Sequence, residues 1–123
     1  MARVVLPVTS LPADTAVNIA SAFTTGDATN DHYIAAGPAA GSLILLVRNS
    51  NGAEQTLTIL AGDGGDTGPA CRAILGDLAI PVAATSGQQA IHITDTARFM
   101  QSDGTIHVDV THANLITAVL GLS

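Results

Sequence analysis

Apolar residues recur at every second position in several short stretches of this chain, each bounded by Gly, Asn, Asp or Pro. Period-two alternation places the apolar set on one face of a strand. Residues 105–111 are the clearest case: Ile106, Val108 and Val110 point one way, and Thr105, His107, Asp109 and Thr111 the other. The turn before them reads Ser102-Asp103-Gly104. Residues 55–60 alternate with Leu57 and Ile59 on one face, and residues 89–94 with Ile91 and Ile93. The run SLILLVRN at 42–49 is nearly continuous in its apolar residues, which predicts a central strand covered on both faces. It stops at Asn49-Ser50-Asn51-Gly52, a strong turn signal.

Weaker strands are expected at 16–20, 32–36, 78–83 and 115–122, giving about eight short antiparallel strands at the turn spacing of a sandwich or jelly roll. The pattern leaves little room for helix. Two segments fall outside it. AGDGGDTGP at 61–69 reads as a glycine-rich loop. Residues 1–14 read as an extended N-terminal arm, in which Pro7 and Pro12 forbid helix while Val4, Val5, Leu6, Val8 and Leu11 supply apolar surface. The fold class is therefore all-β, one small sandwich over 15–123 preceded by that arm.

Composition sharpens this picture. With 123 residues the chain builds one core. Hydrophobic residues make up 47% and aromatics 2%, so Val, Ile, Leu and Ala must fill that core. Low charge and positive mean hydropathy argue against disorder. They also give a surface that favours subunit contacts. There is no lysine, the formal charge is −6, and the arginines are Arg3, Arg48, Arg72 and Arg98. No basic footprint for nucleic acid or anionic lipid is present. The apolar stretch from Val4 to Val8, broken by Pro7, is too short for a signal peptide or a membrane span, so a soluble compartment is expected.

Candidate chemistry is sparse. His107 and Asp109 form an HxD pair on one strand face, the start of a facial metal triad, with His112 three residues on. His92 and Asp95 are placed on the preceding strand and turn, so that His92 and Thr94 are expected to extend the same polar face. A solvated or interface-facing strand is the preferred reading. Asp63 and Asp66 have oxygen ligands for calcium but match no calcium-loop spacing, and GDGGDTG lacks the ending of a phosphate-binding loop. The single Cys71, next to Arg72, has no histidine near it in sequence, and no serine lies in a GxSxG elbow. Neither an enzyme nor a cofactor is expected.

The order of features from about residue 15 onward resembles the capsid decoration, or head cement, proteins of tailed phages. The matching pieces are Thr15-Ala16-Val17-Asn18, LILLVRNSNG at 43–52, QTLTIL at 55–60, AIPVAATSGQQ at 79–89, ITDTARFMQSDGTIHVDV at 93–110 and ITAVLGL at 116–122. The resemblance implies a virion protein, made in the host cytoplasm, that binds the major capsid protein on the outer face of the lattice and stabilises the expanded head. It also implies a homo-oligomer, with a trimer favoured. Contacts are expected from Val4, Val5, Leu6, Val8 and Leu11 of the arm, and from Arg98 and Phe99, because arginine and large aromatics serve as interface anchors. The local alternative for this pair is that Phe99 closes the bottom of the sandwich core and Arg98 is solvated. A carbohydrate- or receptor-binding sandwich is the alternative function, and a metal-dependent jelly-roll enzyme using His107 and Asp109 the third.

Overall fold

The structure is a computed structural model, and it describes residues 3–12, 14–19, 22–35, 42–62, 76–93, 96–101 and 103–122. Within them the chain forms β1 (Val4–Val5), β2 (Val8–Leu11), β3 (His32–Ile34), β4 (Leu43–Asn49), β5 (Gln55–Ile59), β6 (Leu78–Val82), β7 (Gln88–Ile93), α1 (Thr96–Phe99), β8 (Ile106–Val110) and β9 (Leu115–Leu122). They make two sheets, one ordered β1-β3-β8-β5-β6 and the other β2-β9-β4-β7. The all-β sandwich expected from the alternation is what forms. None of the described helices is long and apolar enough to cross a membrane.

The alternation sets the inner faces. Ile106, Val108 and Val110 of β8, with Leu57 and Ile59 of β5, are buried against Leu43, Leu45 and Val47 of β4 and Val119 of β9. The outward Ile44 and Leu46 of β4 are also half-buried, which matches the unbroken apolar run. The turn after β4 is pinned by its buried asparagine. Asn49 Nδ2 donates to the carbonyls of Ala53 and Val82, both at 3.0 Å, and its Oδ1 accepts from Asn51 N at 2.8 Å. All of its polar capacity is directed at main chain, so burial carries no orphan.

The arm is built into the sandwich. β1 pairs in parallel with β3, and β2 pairs in parallel with β9, so one short segment supplies an edge to each sheet. Leu6 N donates to Tyr33 O at 2.8 Å, and the Leu6 side chain, 1% exposed, fills the core. Pro7 falls in the crossing between the sheets, where its missing N–H costs no ladder bond. Two pairings are therefore parallel where an entirely antiparallel fold was expected.

The strand expected at 16–20 is absent over residues 16–19. Its apolar residues serve a different purpose. Ile19 and Phe23 lie over the outer face of the second sheet and line a groove with Leu46, Arg48 and Ala90. Ala118 and Leu120, which share that outer face by register with Leu46 and Ile44, are buried. The segment then returns to the sheet through an isolated bridge between Thr24 and Thr117. The turn of helix α1 carries Phe99 into the core at 5% exposure.

Candidate functional site

The polar positions of β8 and β3 meet on the outer face of the first sheet. Tyr33 pairs with His107 across the ladder, and Arg3, Tyr33, Asp103, Thr105 and His107 line a shallow concavity of about 360 Å³. Asp103 accepts from the Thr105 hydroxyl at 2.6 Å and from Thr105 N at 3.1 Å. The Thr105 side-chain bond, then the main-chain one, holds the Asp103 carboxyl below the usual carboxylate range. At the margin, Arg3 Nη1 reaches Asp109 Oδ1 at 2.6 Å and also donates to His32 O at 3.2 Å.

Beneath this face His32 is fully buried and satisfied at both ring nitrogens. Nε2 accepts from Asp27 N at 3.0 Å, which leaves Nδ1 to donate to Val4 O at 3.2 Å. The assignment follows because a main-chain N–H can only donate and a carbonyl only accept. His32 thereby fastens β1 to the loop that precedes β3. Asp27 organises that loop: its Oδ1 accepts from Asn30 N at 3.0 Å and Thr29 N at 3.1 Å, and its Oδ2 from Asn30 Nδ2 at 3.1 Å. The main-chain bond from Asn30, followed by the Asn30 side chain, pulls the Asp27 carboxyl below its ordinary value.

Among the described residues, the polar face expected to join His92 with His107 and Asp109 does not assemble as a unit. His92 is on β7 in one sheet and His107 on β8 in the other, because α1 carries the chain across between them. Asp109 is engaged by Arg3. His112 lies in the turn after β8, where its Nδ1 accepts from Asn114 N at 3.0 Å. Among the described residues no group of three or more His, Cys, Asp or Glu side chains converges as a metal site. Asp63, Asp66, Cys71, Arg72, Thr94 and Asp95 lie outside the described residues.

The residues singled out for contacts separate by position. Val4 and Val5 are the exposed large hydrophobics of the described chain, at 36% and 41%. Leu6 and Phe99 are buried in the core cluster. Val8 and Leu11 are half-buried on β2. Arg98 donates through Nε to Gly76 O at 3.1 Å and covers the Phe99 ring, its Cζ 4.8 Å from the centroid.

Arg48 and Phe23 were not singled out by sequence, yet the structure brings them together. The Arg48 Cζ sits 4.3 Å from the Phe23 ring centroid, at cation–π distance. Arg48 also borders a concavity of about 330 Å³ with Ser50, Thr85, Ser86 and Gln88. Thr85 there has a φ of 72°, unusual for a β-branched residue. Arg48 and Phe23 are 25 positions apart in sequence and meet because Phe23 lies over the outer face of β4, so no local pattern announces them. Compared with protein-family models, with curated proteins and with solved structures, the chain matches none.

Proposed function

We propose that this protein is a structural component of a phage virion, a decoration protein that binds the outer surface of the capsid lattice and stabilises the expanded head. The observation that carries the reading is the paired exposure of Val4 and Val5 on an edge strand, in a domain whose other described large hydrophobics are at least partly covered. Adjacent exposed valines on a short edge suit a contact that is weak singly and adds up over a lattice of many copies. Among the described residues, Asp109 is paired with Arg3, and the His32 and Asn49 side chains are bonded to main chain. Supporting it further is the resemblance in feature order from residue 15 onward.

The test is co-sedimentation with expanded heads. Deleting the whole arm would remove Leu6 from the core, so the informative variant carries Val4→Asp and Val5→Asp, which charge the exposed edge and leave the interior intact. Loss of binding by a folded variant is the expected result. Retained binding overturns the assignment of this edge, and failure of the native chain to bind heads overturns the capsid reading itself. A carbohydrate- or receptor-binding module is the second reading, favoured by Tyr33 beside Arg3, Asp103 and His107 in the concavity. Glycan-array binding lost on Tyr33→Ala would support it.

A further inference from the structure

The four ends of the two sheets differ in how they are protected. The first sheet ends at β1, two residues that run into Pro7, and at β6, which carries Pro81 in its interior. The second ends at β2, four residues between Pro7 and Pro12, and at β7, six residues reading QQAIHI with neither proline nor charge. Natural edges are kept from pairing by proline, charge, shortness or cover. β7 has none of these among the described residues.

Its geometry fixes which groups are free. Asn49 N donates to Gly87 O at 2.9 Å, extending the β4–β7 ladder by one position. Alternation in an antiparallel pair then gives the main-chain groups of Gln89, Ile91 and Ile93 to β4 and turns those of Gln88, Ala90 and His92 outward. The side chains of Gln88, Ala90 and His92 are exposed as well.

We propose that this edge pairs with the same edge of a second copy, antiparallel about a two-fold axis through Ala90, so that two four-stranded sheets become one continuous sheet. The strand fits itself. Ala90 opposite Ala90 puts the smallest side chain of the exposed row at the axis, and the register sets Gln88 opposite His92 twice, an amide facing an imidazole. Three outward-facing pairs, each exchanging two bonds, give about six main-chain hydrogen bonds. The chain carries a net charge of −6, yet β7 contributes none of it, so two copies meet here without facing like charges. Such an interface is isologous and builds a dimer, in place of the threefold assembly that the family resemblance implies. It rests on strand geometry alone and is independent of the capsid reading.

The experiment is sedimentation equilibrium of the full chain across a wide concentration range, with amide exchange read by NMR. A dimer is expected, with the amides of Gln88, Ala90 and His92 protected as concentration rises. Ala90→Pro removes an N–H that β4 does not use and should give a monomer. Ala90→Asp, which sets two carboxylates face to face at the axis, should do the same and serves if the proline variant does not fold. A chain that stays monomeric overturns the proposal. So does an oligomer that survives Ala90→Asp, or one in which those three amides exchange freely, because the contact then lies elsewhere.

Discussion

Replacing Leu6 by alanine tests whether the N-terminal segment is part of the domain or an appendage. The side chain is 1% exposed and belongs to the main core cluster, while its main chain bonds to Tyr33. Three carbons leave the interior, worth about 0.8 kcal/mol each or about 2.4 kcal/mol together. The space they vacate lies between two sheets pinned by their own ladders, so collapse is partial and a cavity adds about 1 kcal/mol. A loss of about 3 kcal/mol follows, a large fraction of the ~5–15 kcal/mol that holds a typical domain together. For a chain of this size that lowers the thermal midpoint by roughly 10–15 °C. Urea unfolding followed by circular dichroism should show an earlier midpoint with an unchanged slope, since the surface exposed on unfolding is nearly the same. Val5→Ala, at an exposed position, should cost less than about 0.5 kcal/mol. If Leu6→Ala costs less than about 1 kcal/mol, Leu6 is not packed between the sheets, and the integration of β1 and β2 into the sandwich is wrong.

Four further outcomes follow from individual residues. The Thr117 hydroxyl is buried without a hydrogen-bond partner, so Thr117→Val should raise stability by about 1 kcal/mol in the same urea assay; a loss would mean that the hydroxyl has a partner after all. A Cβ on Gly26 would sit 2.6 Å from Leu115 O and 2.7 Å from His112 O, both main chain, so Gly26→Ala should cost more than about 2 kcal/mol, measured by thermal melting. Because the folded-state pKa of Asp27 is depressed, its contribution is complete above the ordinary aspartate value and is lost as pH falls through the lower folded value. Asp27→Asn should therefore flatten the acid limb of the stability profile, and parallel profiles for the two proteins would refute this. The Arg3–Asp109 pair, with side chains 25% and 37% exposed, should show a coupling of no more than about 1 kcal/mol in a double-mutant cycle, shrinking in high salt.

What the sequence disclosed was local. β8 and β5 could be read because their alternation is complete within five residues, and β4 because a strand covered on both faces loses its polar face. The parallel pairings of β1 and β2 could not, since nothing in VVLPVTSL names partners as distant as His32 and Val119. Residues 16–19 misled for a physical reason: a segment lying across an outer sheet face needs apolar residues as much as a paired strand does. The grouping of His92 with His107 failed because sequential strands were assumed to be neighbours, whereas a single turn of helix moves the chain from one sheet to the other. Arg3 and Asp109 form their ion pair across 106 positions, beyond the reach of any spacing argument.

The crossing at Pro7 has a consequence for the order in which this protein can be made. Val8 is synthesised 111 positions before Val119, its ladder partner. At ribosomal speeds of about 5–20 residues per second, β2 waits roughly 5–20 s for the strand it pairs with. Throughout that interval an apolar edge segment is exposed to every other nascent copy. Pro7 and Pro12, set on either side of it, interrupt any ladder that would grow there prematurely. The same two residues that keep the segment from becoming helix thus protect it until the C-terminal strand arrives and the second sheet can close.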